Sequence, residues 1–296
     1  MLHSLKGTIM LQSLEYNFNL DDPELVRVLD ELPLWSAPFG IKLLEKIIPK
    51  KNITVLDIGF GTGFPLVELA MRLGDTCKIY GIDPWDAAAG RAREKIRVLG
   101  IQNCELLPIA EAQNFTPLPL PDRSIDLVVS NNGLNNVPDM DLTLAECARV
   151  LIPGGQLAFT MNLDGTMMEF YEVMEDVLNG YHLPESVEAM KKHILDKRKP
   201  LEEVLALLQK HGFVEVSVDH DRFSYTFADG TAMFKHFLIR LAFLDSWKKL
   251  VTDERQQMIF SEIEDRINRI ADKDGFFKLS VPFVVIDVRK NRTSSV

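Results

Sequence analysis

Between positions 53 and 162 the chain alternates short apolar, partly β-branched runs with stretches of helical spacing. Ile53-Thr54-Val55-Leu56, Cys77 to Ile82, Asn103 to Pro108, Ile125 to Ser130 and Gln156 to Met161 read as buried strands. The stretches opening at Pro65, Ala87 and Asp139 read as helices between them, Pro65 suiting a first helical turn where its missing N–H costs nothing. Leu151-Ile152-Pro153-Gly154-Gly155 predicts a sharp turn into the fifth strand. Such alternation predicts an α/β fold around a parallel sheet. Farther on, Leu201 to Gln209 reads as a helix, Val214 to Val218 as a sixth strand that can extend to Phe227, and Lys278 to Val288 as a seventh.

The flanks are helical. Asp21-Asp22-Pro23 is a helix start, with Leu25, Val28, Leu29 and Leu32 on one face, and Ser36 opens a second helix through Ile41, Leu44, Ile47 and Ile48. Residues 1–48 therefore predict an N-terminal helical cap whose aromatics, Tyr16, Phe18, Trp35 and Phe39, either wall a substrate cavity or staple the cap to the core. Asp164 to Leu178 and Glu185 to Lys197 read as helices, and Lys191 to Lys199 as a solvated basic end. Thr231 to Arg269 reads as two helices, the first with an apolar stripe of Phe234, Phe237, Leu238, Leu241, Phe243, Leu244 and Trp247.

Candidate chemistry begins where the first strand breaks, at Asp57-Ile58-Gly59-Phe60-Gly61-Thr62-Gly63. Strand, glycine turn and helix N-terminus make a nucleotide-cofactor loop, since glycines let a ligand approach the main chain with no Cβ in the way. A dinucleotide loop wants G-x-G-x-x-G, but here the glycines fall at 59, 61 and 63 and the next residue is the bulky Phe64. An acid, Asp57, stands two residues before the first glycine. This D-x-G-x-G-x-G pattern resembles motif I of the class I S-adenosylmethionine methyltransferases, whose cofactor carries an ammonium and a sulfonium that favour carboxylate and carbonyl oxygens. Asp83, at the end of the second strand and followed by Pro84-Trp85, either accepts both hydroxyls of a ribose or caps the helix near Asp86. Trp85 is placed to lie against an adenine.

The segment from Pro117 to Val137 extends the resemblance, to the ubiquinone/menaquinone-biosynthesis type (methyltransferase type 11) group: Asp122, Ser124, Ile125 and Asp126 match. So does Arg149 to Leu157, in the phrase R-V-L-x-P-G-G-x-L. The resemblance implies a Rossmann-like, seven-stranded, mostly parallel sheet with an antiparallel last strand. It also implies a cofactor site of Asp57, Gly59, Phe60, Gly61, Gly63, Asp83, Pro84, Trp85, Ala110, Glu111, Asn131 and Asn132. The polar loop 131–136 falls where the group lines its transfer site, and Asn135 joins Tyr16, Trp35 and Phe39 as a substrate-binding candidate. Ile109 departs from the group, which often has an acid there for the adenine amino group. The resemblance divides the chain into a cap at 1–48, a cofactor-binding core at 49–162, and a remainder at 163–296. In that remainder, insertions at about 163–199 and 230–275 leave from the sheet's carboxyl edge and can form a lid.

Composition narrows the class. The 296 residues carry a net charge of −10, which argues against a nucleic-acid partner. Three scattered cysteines, Cys77, Cys104 and Cys147, suit neither a disulfide framework nor a zinc site, and no metal constellation appears. No leader or membrane-spanning run is visible, so the expectation is a cytoplasmic monomer or homodimer. Methyl transfer demands no particular base; His220, near the end of the sixth strand, is the first candidate, beside His182, His193, His236, Tyr16, Tyr171 and Tyr225. The reading is an enzyme that moves a methyl group from S-adenosylmethionine to a small, partly apolar acceptor at oxygen, nitrogen or carbon, leaving S-adenosylhomocysteine. A non-catalytic S-adenosylmethionine-binding regulator and a nicotinamide dehydrogenase are the alternatives.

Overall fold

The computed structural model describes residues 18–32, 34–108 and 116–292. Short loops between apolar runs leave few ways to arrange the strands, and the outcome is one seven-stranded sheet in the order β3-β2-β1-β4-β5-β7-β6. Its strands are β1 (Thr54–Ile58), β2 (Lys78–Ile82), β3 (Cys104–Leu106), β4 (Ile125–Asn131), β5 (Leu151–Asn162), β6 (Phe213–Phe227) and β7 (Phe277–Lys290). Strands β1 to β5 pair in parallel, and β7 runs antiparallel to β5, as the resemblance implied. Because helices cover both faces of a parallel sheet, its inner strands are largely apolar: Val55, Leu56, Ile58, Val128, Val129, Leu157, Ala158 and Phe159 are all fully buried.

The described chain folds as two compact units. The first comprises Asn19–Leu163, Arg198–Asp221 and the stretch from Phe283. It contains α1 (Pro23–Glu31), α2 (Ser36–Glu45), α3 (Leu66–Leu73), α4 (Asp86–Val98), α5 (Met140–Val150) and α8 (Leu201–Lys210). The second comprises Asp164–Lys197 and Arg222–Pro282 with Phe18. It contains α6 (Met168–Gly180), α7 (Pro184–Lys197), α9 (Gly230–Lys235), α10 (Phe237–Ile239), a π-helical turn at Arg240–Leu244, α11 (Asp245–Lys248) and α12 (Asp253–Asp274).

Several local expectations change. Pro65 stands at the N-cap of α3, after a cis Phe64–Pro65 bond, rather than inside the helix. The turn predicted before the fifth strand is a bulge inside it: pairing jumps from Ile125–Leu151 to Leu127–Gln156, with Gly154 at φ +80°. Asp22 caps α1 by accepting the Glu24 N–H, but the buried residue of that helix is Val26, while Val28 and Leu32 are exposed. The reason is its partner: α1 lies against α4, where Asp30 accepts hydrogen bonds from Arg91 and Lys95. The charged face of α4 is therefore partly an interface. Lys95 also donates to the Thr62 carbonyl at 3.0 Å, tying α4 to the glycine loop. In the basic run, Arg198 is buried rather than solvated.

In the second unit the aromatic stripe does not lie on one straight helix. The helix breaks at His236 and widens at the π-turn, which shifts the phase so that Leu238, Leu244 and Trp247 are all buried. Trp247 stacks on Phe170 with ring centroids 3.7 Å apart, and its Nε1–H donates to Tyr171 Oη at 3.0 Å. Glu169 accepts from both the N–H and the hydroxyl of Ser280. These apolar faces are the core of the unit. Among the described residues no helix is long and apolar enough to cross a membrane.

Candidate functional site

The polar groups of the first unit gather at the carboxyl ends of β1, β2, β4 and β5. Parallel strands leave unpaired peptide groups and loops there, and the glycine loop after β1 is the tightest of them. Gly59, Gly61 and Gly63 all have positive φ (77°, 55° and 109°). A Cβ at Gly61 would meet nothing within 4 Å, so what is required of this residue is the backbone conformation and an open approach. Gly133, in the loop after β4, is required for the opposite reason. A Cβ there would lie 2.6 Å from the Ile58 carbonyl and 2.8 Å from Ser130 Oγ, so the β4 loop can touch the β1 loop only without a side chain.

Asp57 ends β1 beneath this loop. It is fully buried, and among the described residues no side chain gives its carboxyl oxygens a hydrogen bond. Burial, reinforced by the charge of Asp83, drives its pKa well above the usual carboxylate range, and the Leu66 amide at the start of α3 only partly offsets this. Asp83 receives the Gly61 N–H on one oxygen at 2.6 Å and the Trp85 N–H on the other at 2.8 Å. Burial raises its pKa, and those two amides act against the rise. Each oxygen keeps a lone pair beyond these bonds. Asp83 thus closes the turn before α4 without capping it, since the N-cap of that helix is Trp85 and has no side-chain cap, and it keeps capacity for hydroxyl groups. The indole of Trp85 donates to the Leu20 carbonyl at 2.9 Å, and Pro84 beside it is exposed. Phe60 is buried and packs where Gly81 of β2 leaves room, so it can meet a ligand only through its backbone.

The ends of β4 and β5 carry an amide network. The Asn132 N–H donates to Thr160 Oγ1, which donates to Asn131 Oδ1, and Asn131 Nδ2 donates to the Ser36 carbonyl. The backbone N–H of Asn162 donates to Asn132 Oδ1, which fixes that atom as oxygen. Asn135 Nδ2 then donates to Asn132 Oδ1 and Asn162 Oδ1, both at 2.6 Å, and its own Oδ1 faces away from them. Asn132 is held at φ +60° by these bonds. Thr160 and Asn162 were not singled out in the sequence; the signal was there, as two polar positions alternating with Phe159 and Met161 at a strand end.

Other candidates lie elsewhere. Phe39 is a core residue, fully buried with its ring 5.3 Å from Trp35 and 4.8 Å from Phe283. Trp35 is half-buried beside it. His220 is exposed at the middle of edge strand β6, two strand positions or about 10 Å beyond β5, rather than at a carboxyl end. Tyr16, Ala110 and Glu111 lie outside the described residues. The cysteines are free thiols; burial pushes Cys104 and Cys147 up to about 12, which keeps them unreactive.

Known proteins resemble the same segment. Residues 56–159 match the family model described as a methyltransferase domain. Demethylmenaquinone methyltransferase of Listeria welshimeri is 38% identical over 109 residues, 37% of this chain and 44% of that protein. The chain thus spans less than half the length of this curated relative. Among solved structures, a protein of Bacillus halodurans C-125 is similar with a TM-score of 0.54 and 19% identity, covering 85% of this chain and 98% of that one. The [4+2]-cyclase SpnF is similar with a TM-score of 0.51 and 16% identity, over 86% and 80% of the two chains. At such identities the likeness is one of fold, and a fold hosts more than one chemistry.

Proposed function

We propose, on the premise that residues 56–159 carry a class I methyltransferase domain, that this chain transfers a methyl group from S-adenosylmethionine to a small, partly apolar acceptor. One observation carries the reading: a fully buried carboxyl with no cationic partner among the described residues, Asp57, under a glycine loop that is open on its ligand side. A buried carboxylate seeks a cation. The ammonium of the cofactor is such a cation, whereas a dinucleotide brings an anionic pyrophosphate to a glycine loop. Asp57 would hold that ammonium, directly or through water, the spare lone pairs of Asp83 would take the ribose hydroxyls, and Trp85 would lie along the adenine.

When bound, S-adenosylmethionine supplies a methyl group already activated on sulfur. The protein then has to orient and exclude water. Asn135 is suited to orientation: with its nitrogen committed to Asn132 and Asn162, its oxygen can accept a hydrogen bond from an acceptor O–H or N–H. Gly133 and Ser130 hold the β4 loop against β1, Ser130 Oγ donating to the Ile58 carbonyl at 2.7 Å and accepting the Leu134 N–H at 3.1 Å. No base is assigned, because the amides gathered here are neutral. The acceptor would bring its own nucleophile as an amine, an acidic hydroxyl or an acidic carbon.

Calorimetric titration with S-adenosylmethionine, S-adenosylhomocysteine and NADH tests the cofactor. Micromolar binding of the first two, reduced at least tenfold in Asp83→Ala and Gly61→Val, is the expected result. Binding of NADH alone would overturn it. Transfer of labelled methyl to an acceptor separates an enzyme from a regulator that only binds the cofactor.

A further inference from the structure

The glycine loop after β1 spends its glycine N–H groups inside the protein. That of Gly59 donates to the Ile82 carbonyl at 2.8 Å, that of Gly61 to Asp83 at 2.6 Å, and that of Gly63 to the Phe60 carbonyl at 2.8 Å. A loop that cradles an anion turns such amides toward its ligand. With these committed, the oxygens of the loop are what suits a ligand, and they suit a cation. The Thr62 carbonyl already has one, since it accepts a hydrogen bond from Lys95 Nζ at 3.0 Å. A trans peptide points its C=O and N–H in opposite directions, so the Thr62–Gly63 peptide is gripped at both ends, by Lys95 and by Phe60.

Lys95 is itself aimed. Asp30 of α1, with its side chain only 9% exposed, accepts the ammonium on one oxygen and the Arg91 Nε–H on the other at 2.8 Å. A lysine head rides on a flexible four-carbon stem, so tethering it removes much of the ordering cost of its bond to the loop. Asp30 also offsets an ammonium charge that would otherwise stand beside a loop suited to cations. The start of α1 is fastened to the same site, because the Leu20 carbonyl accepts the Trp85 indole N–H at 2.9 Å. Arg91 differs from Lys95 in direction: its Nη1 is spent on Glu94 at 2.7 Å.

We propose that Lys95, aimed by Asp30, is the positioning residue of the cofactor loop: it fixes the Thr62–Gly63 peptide and so sets cofactor affinity without touching the cofactor. All of these residues lie in the first unit. The proposal deepens the methyl-transfer reading and rests on it for the identity of the ligand.

Hydrogen exchange of the Gly61 and Gly63 amides reads the loop without ligand, and calorimetry with S-adenosylhomocysteine reads its function, both on the full chain. Lys95→Met should speed the exchange and weaken the binding, each at least about tenfold, the ordinary worth of a charge-assisted hydrogen bond. Lys95→Arg, which keeps a cation able to reach both oxygens, should recover most of both. Arg91→Met is the control. It breaks two ion pairs, so its Tm should fall as that of Lys95→Met does, yet exchange and affinity should keep their wild-type values. Unchanged exchange or affinity in Lys95→Met, no recovery in Lys95→Arg, or the same losses in Arg91→Met would each overturn the proposal. The last would reduce the ion cluster to general stability. Should Lys95→Met fail to fold, Asp30→Asn carries both readouts, in the same direction. If the expected exchange pattern appears in a chain that binds no S-adenosylhomocysteine, the methyl-transfer reading falls and the loop anchor stands.

Discussion

Replacing Asp57 with asparagine should make the ligand-free protein more stable at neutral pH while weakening its hold on a cationic ligand. The carboxyl is fully buried, Asp83 adds repulsion, and the Leu66 amide offsets these only in part, so its folded pKa stands well above the ordinary 3.8. When the folded pKa exceeds the unfolded one, the native state binds the proton more tightly. The group's favourable contribution is then complete below the ordinary aspartate value, and is lost as pH rises toward and through the raised folded value. Across that window each pH unit costs about 1.4 kcal/mol. Asparagine has the same shape and no titration. The advantage of Asp57→Asn should therefore be near zero at pH 4 and about 1–3 kcal/mol at pH 8, the usual cost of an unsatisfied buried polar group. Denaturant midpoints of both proteins at pH 5 and pH 8 measure it, provided the slopes agree. A variant that loses ground to the wild type between those pH values would refute the reasoning, since a donor would then be reaching the carboxylate. On the same proteins, S-adenosylmethionine affinity should fall at least tenfold.

Three further outcomes are expected. Gly133→Ala places a Cβ 2.6 Å from the Ile58 carbonyl, a backbone atom that cannot swing away. A loss of about 1–3 kcal/mol, read as a lower Tm in calorimetry, should accompany weaker cofactor binding. Tyr171→Phe strands the buried Trp247 N–H, and about 1–3 kcal/mol lost in denaturant unfolding is expected. For Asp30, burial would raise the pKa, but hydrogen bonds from Lys95 and Arg91 hold it below the ordinary value. Its contribution is present above that value and fades as pH falls through the lower folded one, so Asp30→Asn should cost about 1–3 kcal/mol at pH 7. The two denaturation midpoints should converge as pH falls below the ordinary aspartate value.

Strand identity was legible in the chain because short, largely apolar runs such as Ile53 to Leu56 have nowhere to go but the middle of a parallel sheet. The glycine spacing marked the tight loop after β1 for a similar reason, since few residues but glycine take three positive φ angles in five positions. Faces of helices were harder. Val26 is buried instead of Val28 and Leu32 because α1 answers to Asp30 and its two cationic partners on α4, which no period within α1 encodes. The aromatic stripe after Thr231 hid a π-turn, because one extra residue per turn leaves no compositional mark. The Asn132–Asn135–Asn162 network needed β5 to be seen beside β4, a pairing across 27 residues. His220 was placed by analogy of position alone, and an edge strand does not reach the cluster.

The sheet order carries a consequence for biosynthesis. Strand β7, the last of the seven to be translated, lies between β5 and β6 rather than at a rim. About 130 residues separate the end of β5 from the end of β7, roughly 6–25 s of elongation at ordinary rates. Throughout that interval the nascent β5, whose Phe159 and Met161 are fully buried in the finished sheet, offers an unpaired apolar edge. On the ribosome this chain is therefore a client for chaperones that shield open strands. Ribosomal pausing between codons 163 and 276 should lower its soluble yield more than pausing before codon 150.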